Sequence, residues 1–461
     1  MMITFVGGAR TVTGSLHLFR HQDRKFILEC GLFQGHRDDA DRINRTFPFK
    51  PKDIQSAVLT HGHLDHSGNL PSLCKKGFTG PVFCTSATRD IASLLLLDAA
   101  HVQENDLAYL NKKTAKQGLP AKEPLYTVPD AERAVRQFSP TGYGMAFEPV
   151  PGVKAALFDA GHILGSALVL LEAAGVRTLF SGDLGRKHMP ILRDPVKVGE
   201  VDNLILESTY GGRTHMPIDD MAGELAALIK EGKRRRSKII IPAFAVERTQ
   251  LLIKILKDLF QDGLLKGIPV YVDSPLATEV TQVYSSHPEC FDAATYEVFI
   301  KSDPFKFPGL SYVRDANESR KLNSLKQTMI IIAGSGMCEG GRVLHHLIHS
   351  IQDPDNMVIF VGFQAQGTLG RKIVEGVSPV SIFGDQYEVR AQIHFLDGFS
   401  AHADGAELLD YVKSIAGTRL KKVFLVHGEP GPATSLGAQI ASWNPRIEVE
   451  IPQTLSETTL A

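Results

Sequence analysis

His61-Gly62-His63-Leu64-Asp65-His66 puts four metal-capable side chains into six residues. Imidazoles suit zinc, and carboxylates hold harder cations or bridge two of them. The preceding run, Ala57-Val58-Leu59-Thr60, is apolar and predicts a buried strand; Ser67-Gly68-Asn69 predicts a turn or helix entry. The cluster is therefore expected at a strand's end, where a rigid sheet aims side chains. In extended chain His61 and His63 point the same way. Asp65 and His66, beyond the turn, are placed to serve a second metal beside the first.

Working outward, other apolar runs end in the same kinds of residue. Strands are expected at 153–158, 177–180, 203–206 and 422–426. They lead into Asp159-Ala160-Gly161-His162, Ser181-Gly182-Asp183, Glu207-Ser208-Thr209-Tyr210 and His427-Gly428-Glu429. With the first stretch, five strands each deliver a His, Asp or Glu at the carboxyl end, the usual place to assemble a site. Earlier strands are read at 3–6 and 26–28, and helices over 86–112 and within 130–137. Between Tyr210 and about Val389 the rhythm becomes strand–helix–strand, with strands at 238–242, 270–272, 329–332 and 358–361 and helices over 246–262, 276–285 and 342–351. That rhythm predicts a parallel sheet with helices on both faces. The expected organisation is a first domain over 1–208, an inserted domain over 209–388, and a return to the first domain over 389–461.

Composition sets mild bounds. The chain has 461 residues, with 50 Lys and Arg against 51 Asp and Glu, so no global basic signal points to nucleic acid. A local basic groove is still compatible with that balance. Cys30, Cys74, Cys84, Cys290 and Cys338 show no CxxC pairing and read as reduced thiols of a cytoplasmic protein. The start, MMITFVGGARTVTGS, has no basic stretch followed by an apolar core, and the leucine-rich run at 92–97 is too short to span a bilayer. No membrane partner is expected.

The candidate ligands are His61, His63, Asp65, His66, His162, Asp183 and His427. These are too many for one tetrahedral zinc. They suit two metals about 3.5–4 Å apart, an arrangement that activates water near neutral pH and clamps a phosphoryl group.

Together, His61-Gly62-His63-Leu64-Asp65-His66, Gly161-His162 and Ser181-Gly182-Asp183-Leu184-Gly185 resemble the metallo-β-lactamase superfamily. Glu207-Ser208-Thr209-Tyr210-Gly211, Phe399-Ser400-Ala401-His402-Ala403-Asp404 and Leu425-Val426-His427-Gly428-Glu429 are similar to motifs A, B and C of its β-CASP nucleases. The match runs in order along essentially the whole chain and is closest to the RNA-processing branch. It implies an α/β fold, an αββα sandwich with an inserted β-CASP domain. It also implies a zinc-dependent ribonuclease with two Zn2+ per chain, acting on RNA, with a homodimer as in relatives. One zinc would take His61, His63 and His162, the other Asp65, His66 and His427, with Asp183 bridging. Asp65, His402 and Glu207 are the implied catalytic residues: His402 as general acid, Glu207 orienting it. A histidine at motif C, here His427, marks RNA-directed members; the DNA crosslink-repair branch has an aliphatic residue there.

The first family motif usually reads Leu-Asp-Cys-Gly, and this chain has Leu28-Glu29-Cys30-Gly31. Glu29, one methylene longer, is expected to support the ligands from behind. In the insert, Ala333-Gly334-Ser335-Gly336-Met337 and Phe363-Gln364-Ala365-Gln366-Gly367-Thr368-Leu369-Gly370-Arg371 follow strands and enter helices, where backbone N–H groups can hold phosphate. Ser335, Gly336, Thr368 and Arg371 are the resulting substrate-binding candidates, and Arg248, in Pro242-Ala243-Phe244-Ala245-Val246-Glu247-Arg248, is a further one because it resembles a family position lining the substrate channel. Lys233-Arg234-Arg235-Arg236 reads as a solvated helix end with favourable dipole placement, and as an RNA contact in the alternative. Two other functions stay in view: a DNA nuclease or other hydrolase of this fold, and a non-catalytic RNA-binding subunit. The second loses ligands among relatives, and this chain keeps all of them.

Overall fold

The computed structural model describes residues 1–35, 37–116, 118 and 120–460. It divides into two units: residues 1–187, 194–214 and 402–461 form the first, and residues 188–193 and 215–401 the second.

The first unit holds two seven-stranded sheets. One runs in the order Glu457–Thr459, Met2–Gly7, Leu16–His21, Arg24–Leu28, Ser56–Val58, Val82–Cys84, Phe138–Pro140. The other runs Glu448–Glu450, Lys422–Val426, Asn203–Glu207, Val176–Phe180, Ala167–Ala173, Val153–Asp159, Ala146–Val150. Alternation drives the facing. Ile3, Phe5, Phe19, Phe26 and Leu28 turn inward from the first sheet and meet Leu157, Val169, Phe180, Ile205 and Phe424 from the second, forming one shared core. Behind the second sheet, Leu204, Leu206 and Leu425 pack on Leu408, Val412, Leu436 and Ile440 of helices Gly405–Ala416 and Pro430–Trp443. Behind the first, Ile27, Ala57 and Val82 pack on Leu73 of Leu70–Lys75, Ala92 of Ser86–Ala115 and Ala134 of Val128–Val135. The layers are helix, sheet, sheet, helix, the expected sandwich.

Register brings the chemistry to one rim of each sheet. Arg24–Leu28 and Ser56–Val58 are parallel with Leu28 opposite Val58, so Glu29 and the His61 loop leave together. Asn203–Glu207 is parallel to Lys422–Val426, with Glu207 opposite Val426, and to Val176–Phe180. Asp183, Glu207 and His427 therefore emerge side by side. The strand expected to reach Thr60 ends at Val58, because Thr60 N–H leaves the ladder and donates to Glu29 Oε1 at 2.8 Å. Gly31 is required where the loops cross: a Cβ there would lie 1.6 Å from the Asp65 carbonyl oxygen.

The second unit has a six-stranded sheet in the order Leu310–Tyr312, Val270–Asp273, Met329–Ala333, Lys238–Pro242, Met357–Phe360, Gln392–Phe395, and every pairing in it is parallel. Lys238–Pro242 and Met329–Ala333 are buried at every residue, as continuous apolar runs covered on both faces demand. Helices Arg248–Gln261, Pro275–Ser286 and Arg342–Ile348 connect them. The sheet's last strand, Gln392–Phe395, lies beyond Val389, and the first unit resumes at His402. Composition carries no mark of that crossing, because residues 390–401 continue the same mixed apolar and polar pattern. All five cysteines are buried and free. Among the described residues, no helix is long and apolar enough to cross a membrane.

Candidate metal centre

All seven sequence-predicted ligands lie in the first unit, and they converge. His61 Nε2 lies 3.1 Å from His63 Nδ1, which lies 3.3 Å from His162 Nε2. Asp183 Oδ2 is 3.4 Å from His61 Nε2 and 3.5 Å from His162 Nε2. A tetrahedral zinc with bonds near 2.0–2.1 Å holds its ligand atoms about 3.3–3.4 Å apart, and these separations fit that polyhedron. The same Asp183 Oδ2 lies 3.3 Å from His66 Nε2, which is 3.3 Å from His427 Nε2 and 4.0 Å from Asp65 Oδ2; His427 Nε2 to Asp65 Oδ2 is 3.5 Å. Two donor groups thus share one carboxylate oxygen.

The donors' chemistry calls for cations. Imidazole nitrogens facing one another at hydrogen-bond distance repel unless a proton or metal lies between them. Both Asp183 oxygens are buried and accept no hydrogen bond among the described residues. Burial, with His66 nearby, lowers His61 well below the usual imidazole range, and burial lowers His63 to about 4, so both present lone pairs. At His66 burial also favours the neutral ring, but Asp183, Asp65 and Glu29 outweigh it and raise its pKa.

The ligands are held from behind. Glu29 Oε2 lies 3.1 Å from His66 Nδ1, which turns Nε2 toward the donor group. Thr60 Oγ1 lies 3.0 Å from His61 Nδ1, and Thr209 Oγ1 3.2 Å from His427 Nδ1. The sequence reading gave neither threonine a role; the one signal for each is position, Thr60 directly before His61 and Thr209 two residues past Glu207. Glu29 at φ 65° and His427 at φ 46° occupy the left-handed region, uncommon for such side chains and typical of functional positions.

His402 stands beside this group. Its Nδ1 lies 3.0 and 3.2 Å from the two Glu207 oxygens and 3.9 Å from Asp183 Oδ2, and its ring centroid is 4.5 Å from that of His162. Glu207 is fixed in turn: Leu184 N–H donates to its Oε1 at 2.7 Å.

The substrate-binding candidates all lie in the second unit. Ser335 Oγ accepts from Glu339 N–H and Gly340 N–H, shaping its own loop. Thr368 caps helix Leu369–Val374, accepting from Arg371 N–H, and Arg371 Nε donates to Glu375 at 2.7 Å. Of the basic run, Arg234 pairs with Glu231, Arg235 donates to Pro354 O, and Arg236 closes the helix at φ 63°. These contacts favour the structural reading of that run.

Sequence models of known families match in three blocks: Metallo-beta-lactamase superfamily over residues 10–240, Beta-Casp domain over 249–373, and Zn-dependent metallo-hydrolase RNA specificity domain over 386–452. The chain belongs to the β-CASP branch of the metallo-β-lactamase superfamily. It is similar to Ribonuclease TTHA0252 of Thermus thermophilus, 37% identical over 443 residues covering 96% of each chain. It is also similar to Transcription termination factor FttA of Methanocaldococcus jannaschii, 32% identical over 439 residues, covering 93% of this chain and 67% of that protein. A crystal structure described as a protein of unknown function from Enterococcus faecalis V583 shares the fold, with a TM-score of 0.55, 14% identity and 99% coverage of both chains. As a member of this family the chain is a metal-dependent hydrolase, and its converging His and Asp side chains form groups that could hold a metal ion.

Proposed function

We propose that this protein is a zinc ribonuclease that hydrolyses phosphodiester bonds of single-stranded RNA. The observation that carries the reading is the single carboxylate oxygen, Asp183 Oδ2, shared by two donor groups of zinc-like spacing, with the His402–Glu207 pair alongside. The similarity to a protein named a ribonuclease and the RNA-specificity domain match support RNA as the substrate.

His61, His63 and His162 would hold one zinc, Asp65, His66 and His427 a second, and Asp183 both. Zinc there supplies Lewis acidity and an activated water near neutral pH. The chain's own residues do the rest. Glu207 holds the His402 ring and supports its cationic form. Protonated His402 would give its proton to the departing 3′ oxygen, leaving a 3′-hydroxyl and a 5′-phosphate. Burial of Asp183, His61, His66, His162 and His427 keeps bulk water from screening the charges that meet the phosphate. A homodimer completes the reading; sedimentation of the purified protein tests it.

The main test is Asp183→Ala assayed on 5′-labelled RNA beside a matched DNA strand. Cleavage should vanish with the circular dichroism spectrum retained. Full activity in a folded, metal-free variant overturns the mechanism, and preference for the DNA strand overturns the substrate.

A further inference from the structure

In the second unit, the middle strands Met329–Ala333 and Lys238–Pro242 are neighbours. The connection leaving Lys238–Pro242 runs to Val270–Asp273 on one side of it, whereas the connection leaving Met329–Ala333 runs to Met357–Phe360 on the other. Right-handed crossovers in opposite directions put their helices on opposite faces, and the loops at the carboxyl ends part to leave a crevice. That switch point is where open parallel sheets bind ligands.

Two side chains mark it. Phe244, two residues past Lys238–Pro242, remains 38% exposed although it follows a wholly buried strand. One edge of its ring rests on glycines of the neighbouring loops. A Cβ on Gly336 would lie 2.9 Å from Phe244 Cδ2, and one on Gly362 would lie 3.8 Å from Cε2. The second is Arg248. It is 9% exposed, yet its Nε and Nη1 donate no hydrogen bond among the described residues. The carboxylate oxygen paired with it, Glu247 Oε2, is 3.8 Å away, beyond hydrogen-bond reach. The Gly362 Cβ position that meets the ring also lies 3.7 Å from Arg248 Nε, so guanidinium and ring converge on one small residue. A buried guanidinium with idle donors is costly unless an anion meets it, and an exposed ring beside it offers a stacking face.

We propose that Phe244 and Arg248 form a nucleotide subsite: the ring stacks one unpaired base and the guanidinium binds an adjoining phosphate of the RNA strand. The proposal rests on the ribonuclease reading and adds to it a residue that selects for unpaired, base-bearing strands. Stacking is tolerant of base identity, so the subsite reads single-strandedness rather than sequence.

The test uses the full-length zinc protein and fluorescein-labelled, cleavage-resistant 2′-O-methyl RNA, with one abasic residue moved along the strand. At one position the wild type should lose about tenfold in affinity on base removal, the scale of one base–aromatic stack. Phe244→Leu should bind intact and abasic strands equally, and Phe244→Tyr should restore the difference. Arg248→Gln should erase the penalty of a single neutral methylphosphonate linkage, which Arg248→Lys should retain in part. An intact-to-abasic ratio unchanged in Phe244→Leu overturns the subsite while leaving the ribonuclease reading standing. A wild type that neither binds nor cleaves RNA overturns that reading and the subsite with it.

Discussion

His402 Nδ1 and Glu207 Oε1 lie 3.0 Å apart, joining two motifs separated by 195 positions. Burial alone would keep His402 neutral, but the Glu207 and Asp183 carboxylates outweigh it and raise its pKa to about 9. The imidazole is therefore protonated through neutral pH and loses its proton, and its capacity as an acid, as pH rises. A metal held by Asp183 would withdraw part of that negative charge, so with metal bound the alkaline fall should lie below 9. Glu207→Gln should move the fall to lower pH and reduce kcat on RNA by about 10²-fold, the lower end for general acid catalysis. A kcat–pH profile measures both, and an alkaline limb unmoved in Glu207→Gln refutes the assignment.

Glu29, 3.1 Å from His66 Nδ1, would act on a bound metal through that imidazole. Groups that orient a ligating imidazole are worth about 10–100-fold in metal affinity. Glu29→Ala should weaken zinc binding by that factor in a chelator competition. Glu29→Asp should keep most of the affinity, because a carboxylate remains opposite His66 Nδ1. Equal losses in the two variants would mean that the methylene, not the hydrogen bond, is what the site needs.

Acid should strip the metal. In the metal-free site, His66 holds a proton among Asp183, Asp65 and Glu29, its pKa raised above the ordinary imidazole value. Zinc must displace that proton, so affinity rises with pH and falls as pH drops. Each proton displaced contributes about tenfold per pH unit. Titration with a zinc-sensitive dye at a series of pH values reads the slope, and a flat dependence below pH about 7 contradicts the assigned proton.

The convergence of the seven candidate ligands was legible because each is carried by a short local signal, a histidine or acid at or just beyond the end of an apolar run. The sandwich was legible for a similar reason: one sheet holds period-two strands such as Met2–Gly7 and the other wholly buried ones such as Asn203–Glu207. Thr60 and Thr209 were not, since a hydroxyl's partner is set by where two loops cross. Arg371 showed the converse. Its sequence context suggested phosphate, and the structure adds what the sequence reading did not name: Glu375, one helical turn away, accepts from its Nε. The sheet strand Gln392–Phe395 was missed because its burial is only partial and its pattern short.

Asp273 offers a stability test away from the metal centre. At 0% exposure its Oδ2 meets His346 Nε2 at 2.6 Å and accepts from Ser319 Oγ at 2.5 Å, while Oδ1 accepts from Arg342 Nη1 at 2.6 Å. Burial opposes its charge, but these donors outweigh burial and lower its pKa. A carboxylate whose folded pKa is depressed contributes stability above the unfolded value near 3.9, and that contribution is lost as pH falls through the folded pKa. Asp273→Ala leaves the Arg342 guanidinium without its carboxylate partner and should cost about 3–5 kcal/mol at neutral pH, the range for breaking a buried pair. Urea unfolding at neutral pH, where the carboxylate's contribution is fully present, reads the loss. A variant within about 1 kcal/mol of wild type at neutral pH would mean that water replaces the carboxylate at Arg342.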